Sequence, residues 1–100
     1  MTATLPTRTV TFVVDERWAG RTLRFRLTGW TYTDDVQVPL YEVAAPIGAD
    51  GTGEVDLFPN ELGGRDTEWE VQFPDRSRRT ITVPDGVAAL NLTTLLEAAS

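Results

Sequence analysis

The stretch Asp50-Gly51-Thr52-Gly53-Glu54-Val55-Asp56 sets oxygen-bearing side chains at every second position, the alternation with which a calcium loop collects its ligands. Such a loop needs further oxygens at its start, yet Gly48 and Ala49 precede Asp50 and the position two before it carries no acid. Val55 and Leu57 alternate with Glu54 and Asp56, which puts both carboxylates on the outer face of an extended strand. Asp50-Gly51 therefore reads as a tight turn in which Gly51 takes a positive φ. No metal is expected.

Nucleophilic or general acid–base chemistry is equally short of parts. The two serines are Ser77 and Ser100, and the sequence has no histidine and no cysteine to serve as base, thiolate or metal ligand. Asp34 and Asp35 are adjacent carboxylates, but they fall in turn chemistry, where solvation explains them. The expectation is a protein that is not an enzyme and that holds no cofactor.

What remains is chemistry of contact. Trp30 and Tyr32 follow the alternating run Leu23, Phe25, Leu27, and continuing that alternation puts both on the arginine-bearing face. A bulge at Gly29 would turn them inward as core residues. Without one they form an exposed aromatic pair, fit for a protein interface or for stacking on a sugar. Arg76, Arg78 and Arg79 cluster on a hairpin tip beside Asp75, suited to solvent or to an acidic patch on a neighbouring subunit. Leu92, Leu95 and Leu96 form an apolar stripe at helical spacing that continues to Ala99. Asn91 is its candidate N-cap. So short a helix is marginal alone and must lie on a surface, either the domain's own core or a neighbouring chain; packing between subunits is the preferred expectation. The interface candidates are thus Trp30, Tyr32, Arg76, Arg78, Arg79, Leu92, Leu95 and Leu96.

The elements that must position these residues are strands. Arg21–Thr28 alternates Leu23, Phe25 and Leu27 with Arg24 and Arg26. Residues 67–73 repeat the pattern with Trp69, Val71 and Phe73 against Glu68, Glu70 and Gln72. If these two strands are neighbours, Arg24 and Arg26 face Glu68 and Glu70. Val10, Phe12 and Val14 mark an earlier strand that admits cover on both faces. Residues 36–44, 53–58 and 79–83 supply three more, for six in all, or seven if Thr31-Tyr32-Thr33 stands apart. Pro39 has no N–H to donate, so its strand is an edge or carries a bulge. Turn residues separate the strands at Asp15–Gly20, Asp34-Asp35, Gly48–Gly51, Asn60–Asp66, Pro74–Arg78 and Pro84–Gly86. This is the pattern of a single all-β domain over residues 1–100, an antiparallel sandwich of the fibronectin or prealbumin kind, with a C-terminal helix at about 92–99.

Charge narrows the partners. The net charge is −6, which opposes nucleic-acid binding, and all nine basic residues are arginine. A GC-rich coding sequence is the plain explanation of that bias and is preferred over arginine chosen for bidentate contacts. No run approaches the roughly 20 apolar residues of a membrane helix. The first residues, Met1–Thr9, lack the apolar run of a secretory signal, so the chain is expected to work in solution.

The succession Ala49-Asp50-Gly51, a strand closing on Leu57-Phe58-Pro59-Asn60, a Gly63-Gly64 loop, the strand Trp69-Glu70-Val71 and the step Ile81-Thr82-Val83-Pro84-Asp85 resembles a module of tailed-bacteriophage virion proteins. It is similar to the β-sandwich domains near the N-terminus of tail fibres and to modules of neck and head decorations. Phe58 stands where that pattern usually has tryptophan and Trp69 where it has tyrosine, both aromatic for aromatic. The resemblance spans roughly residues 20–90, and its turn residues recur in unrelated sandwiches. It implies a structural virion protein, assembled in the bacterial host cytoplasm and attached to capsid, neck or tail subunits, with anchoring of a fibre or spike as a further role. Homo-oligomers are expected, without nucleic acid or membrane. A fibre continues into a shaft, whereas this sequence runs to Ser100, which suggests a free-standing virion protein or a fibre's docking part. The other class of function is a carbohydrate-binding or adhesive module using Trp18, Trp30 and Tyr32.

Overall fold

The computed structural model describes residues 6–33, 36–86 and 90–98. Nine strands, two 3-10 turns and one α-helix follow in the order β1 (Arg8–Val13), a turn at Glu16–Trp18, β2 (Thr22–Leu27), β3 (Thr31–Thr33), β4 (Val36–Val38), β5 (Glu42–Pro46), β6 (Thr52–Leu57), a turn at Asn60–Leu62, β7 (Trp69–Gln72), β8 (Arg78–Ile81), β9 (Leu90–Asn91) and α1 (Leu92–Ala98). They form one sheet ordered β6-β1-β9, a second ordered β5-β2-β7-β8, and a separate β3-β4 ribbon.

The two larger sheets share one core. Val10, Phe12, Val55 and Leu57 point into it from the first sheet, and Leu23, Phe25, Leu27, Ala45, Trp69, Val71 and Ile81 from the second. These are the residues that the period-two alternation selects, because successive Cβ atoms of a strand point to opposite faces. The all-β, sandwich-like architecture is as expected. One pairing is not: β9 runs parallel to β1, with Val10 opposite Leu90 and Thr11 opposite Asn91. A two-residue strand carries too little alternation to be read from sequence. The outer side of β1 also stays open, with Thr9 and Thr11 half-buried and Val13 exposed.

Residues 36–44 do not form one strand. Pro39 and the two residues after it lie outside any strand, so Val36–Val38 joins β3 while Glu42–Pro46 joins β2. The missing N–H here ends a strand outright, and the two strands it separates, β4 and β5, are both edge strands. The wet face of the second sheet is charged in alternation, though with other partners than β2 and β7 alone would supply. Arg26 sits opposite Glu42 on one side and Glu70 on the other. Arg24 pairs with Glu42 at 3.3 Å and Arg78 with Glu70 at 3.9 Å. These pairs are exposed and of the kind that contributes about 0.2–1 kcal/mol each.

Asp50-Gly51 is the expected turn. Gly51 has φ +82°, and a Cβ there would run into the carbonyl oxygen of Val14. The Asp50 carboxylate accepts from the N–H and hydroxyl of Thr52 at 3.2 and 2.5 Å. The oxygen that looked like a first calcium ligand is committed to holding the turn.

The helix corrects the sequence reading. Leu92 and Leu95 are buried in the domain's own core and Leu96 packs half-buried against it, so Leu92 and Leu95 are not available as an interface between subunits. The helix lies against β1, β8 and β9. Asn91 does cap it, its Oδ1 accepting from the Thr93 N–H at 2.9 Å. The sandwich leaves its end open between β8 and β9, and three leucines close it. Ala99 and the Asp34-Asp35 pair lie outside the described residues.

Candidate docking surface

Phe58, Asn60, Thr67, Trp69 and Val83 meet in one buried polar knot. Trp69 is fully buried, and its Nε1–H donates to the Phe58 carbonyl at 2.9 Å. Tyr41 meets its ring edge-on at 5.1 Å between centroids. Asn60 is buried too; its Oδ1 accepts from the Val83 N–H at 2.8 Å and its Nδ2 donates to Thr67 Oγ1 at 3.0 Å. The Pro-Asn step, the aromatic strand and the Val-Pro step are therefore one device that ties three loops to the core. Every buried side-chain polar atom among the described residues has a partner, so this knot offers a ligand no free group.

Directly outside this knot the β3-β4 ribbon presents Trp30 and Tyr32 to solvent, 43% and 48% exposed. Gly29 hosts no bulge. The chain leaves the second sheet after Leu27 and re-enters as β3 with its alternation unbroken, so Thr31 points inward and is fully buried while its two neighbours point out. Of the two readings open for this pair, exposure is the one realised.

The patch is braced from below. Thr31 Oγ1 accepts from the Arg65 N–H at 3.1 Å, and Gly64 N–H donates to the Tyr32 carbonyl at 2.9 Å. The Tyr32 ring lies over Gly64, so close that a Cβ there would displace the ring. Arg65 then extends across Trp30, its guanidinium carbon 4.3 Å from the ring centroid. A cation over an indole face is favourable by about 0.5–1 kcal/mol where exposed. The outcome is a rigid surface of two aromatic rings and one arginine. The sequence reading missed Arg65, which stands 35 positions from Trp30 and whose only local signal was the Gly63-Gly64 pair.

Other candidates lie elsewhere. Arg76, Arg78 and Arg79 are exposed on the β7–β8 hairpin, away from the aromatic patch by the length of β7. Trp18 sits at that far end as well, half-buried, its ring 6.0 Å from that of Phe73, so it is not part of a shared aromatic surface with Trp30 and Tyr32. Among the described residues no group of three or more histidine, cysteine, aspartate or glutamate side chains is placed to hold a metal ion. No helix among them is long and apolar enough to cross a membrane. The sequence matches no family model and no curated protein.

Proposed function

We propose that this chain is a structural docking module of a tailed-bacteriophage virion, without catalytic activity, that attaches to head, neck or tail subunits through the Trp30–Tyr32–Arg65 surface. The observation that carries the docking role is two large aromatic rings held in solvent on a ribbon whose backbone is fastened to the loop beneath it. Exposed tryptophan, tyrosine and arginine are the residue types that dominate the energy of protein interfaces, and rigid rings lose little entropy on binding. The phage assignment rests on the resemblance over roughly residues 20–90, of which Phe58, Asn60, Trp69 and Val83 build the knot under this surface. In this reading the module is present in several copies on a symmetric assembly, with fibre or spike anchoring as its further role.

Mass spectrometry of purified particles tests the assignment directly, since a virion protein is recovered at a fixed copy number. Trp30→Ser/Tyr32→Ser then tests the surface: the variant should fold and melt close to the parent yet fail to join particles. The carbohydrate-binding reading draws on the same two rings, placed at i and i+2 on one face. Glycan-array binding that disappears on Trp30→Ala, with normal incorporation into particles, would favour it instead. Arg65 already occupies one face of Trp30, which leaves a sugar the opposite face or the Tyr32 ring.

A further inference from the structure

At the far end of the second sheet from the aromatic patch, a surface cleft of about 380 Å³ lies between the start of β2 and the β7–β8 hairpin. Three arginines line it, Arg21, Arg24 and Arg76, together with Gln72, Phe73 and Pro74. Thr22 and Leu27, the two ends of β2, are separated by roughly 17 Å of extended chain, so this cleft and the Trp30 surface are independent.

Two features set the cleft apart from an ordinary solvated turn. The first is local charge against the global sign. The protein carries −6 overall, yet three arginines and no carboxylate line this cleft, and Arg24 makes a single exposed contact to Glu42, outside the lining, at 3.3 Å. Among the described residues neither Arg21 nor Arg76 has an ion-pair partner. The second feature is backbone strain. Phe73 to Arg76 form a turn closed by the Arg76 N–H donating to the Phe73 carbonyl at 2.9 Å, and the Phe73 N–H donates to the Ser77 carbonyl at 2.9 Å. A three-residue hairpin loop of this form places its last residue in the left-handed region, where glycine is the low-cost choice. Arg76 occupies it with φ +72°, the one non-glycine residue at positive φ among the described residues. Folding gains nothing from arginine at that position. A side chain that reaches the cleft is what glycine could not supply.

We propose that this cleft is a binding site for a carboxylate-bearing acidic segment of a protein partner, clamped by Arg21, Arg24 and Arg76. Guanidinium forks match carboxylates bidentately. Phe73 and Pro74 add a small apolar margin to an otherwise polar lining, against which a peptide stem can lie. A nucleic acid fits less well, because a long polyanion would have to run from the cleft over the rest of an acidic surface. This inference does not depend on the phage assignment or on the aromatic patch.

The experiment is a titration of the isotope-labelled protein, followed by backbone amide shifts at low ionic strength, with three probes: a hexaglutamate peptide, inorganic phosphate and a single-stranded oligothymidine. Hexaglutamate should shift the amides of Arg21, Arg24, Gln72 and Arg76 and should bind more tightly than either other probe. Arg76→Gly should weaken it about fivefold or more while raising the melting temperature, because glycine relieves the left-handed strain. Arg26→Ser removes one charge from the same sheet face outside the cleft and should change affinity less than about twofold. The proposal is overturned if hexaglutamate leaves these amides unmoved, or if Arg26→Ser weakens binding as much as Arg76→Gly. Tighter binding of phosphate would make this a small-anion site, and tighter binding of the oligothymidine a nucleic-acid site; either result overturns it.

Discussion

Three aspartates do the same work in three turns. Asp15 accepts from the Arg17 N–H and side chain, Asp50 from Thr52, and Asp75 from the Ser77 N–H and hydroxyl. Each carboxyl has its pKa held below the ordinary 3.8: Asp15 chiefly by the Arg17 side chain, Asp50 by the Thr52 hydroxyl and Asp75 by the Ser77 hydroxyl. A carboxylate depressed in the folded state contributes stability above its unfolded pKa and loses it as pH falls through the folded value. The melting temperature should therefore fall from about pH 4 downward, and the triple variant Asp15→Asn/Asp50→Asn/Asp75→Asn should show a shallower acid limb in thermal melts. An unchanged acid limb would assign the loss to other groups. Asn60 poses a sharper question of the same kind. Asn60→Ala strips the Val83 N–H of its acceptor in the core and should cost about 1–3 kcal/mol, read by urea denaturation. Trp69→Ala loses both a large buried ring and the bond to Phe58, and should cost about 3–5 kcal/mol, enough to leave much of the protein unfolded at 37 °C.

At the scale of elements, α1 is the piece whose role changed between sequence and structure. Seven residues are too few to hold a helix in water, so its order comes from the core that receives Leu92 and Leu95. Leu95→Ala should lower stability by about 2–5 kcal/mol in the isolated domain, measured by denaturant titration at protein concentrations low enough to exclude association. Normal melting of that variant, with loss of self-association, would return the helix to an interface. The β3-β4 ribbon behaves oppositely. Its Thr31 side is built into the loop at Arg65, whereas its Trp30 and Tyr32 side contributes little to the core. Replacing both rings with serine should leave the melting temperature within a few degrees of the parent, by circular dichroism. A collapse of the fold would show that the rings, not Thr31, hold the ribbon.

Across the whole molecule, the second sheet divides its functions by end. One end carries the polar knot and the aromatic patch above it; the other carries the arginine cleft and the strained hairpin. Edge strand β8 is guarded by Arg78 and Arg79, charges of the sort that keep sheet edges from pairing with other chains. The two proposed contact surfaces therefore lie at opposite ends of one sheet, as a module joined to one partner above and another below would need. If both proposals hold, the Trp30→Ser/Tyr32→Ser variant and the Arg21→Ser/Arg76→Ser variant should lose different partners in a pull-down from cells that make the protein. Loss of the same partner by both would mean that the two ends serve one interface.

Much of this fold was legible in the residues alone. Alternation is a local signal, since a strand with one wet face must place apolar side chains at every second position, and so Leu23, Phe25, Leu27, Trp69 and Val71 announce the core by themselves. The Asp50-Gly51 turn was legible for a similar reason: its hydrogen bonds close within three residues. Apart from the break at Pro39, which is local, the unmatched expectations turned on contacts between distant parts of the chain. Whether Leu92 and Leu95 face their own sandwich depends on a gap between β8 and β9 that no window of sequence contains. Whether Trp30 is buried depends on β3 leaving one sheet for another, and its arginine partner lies across a loop that folds back from beyond β6. Strand pairing decided that Arg24 meets Glu42 and Glu70 meets Arg78, because β2 has a second neighbour in β5 and β7 one in β8. Side-chain direction follows from the local chain, whereas the neighbour a side chain meets is set only when the sheets close.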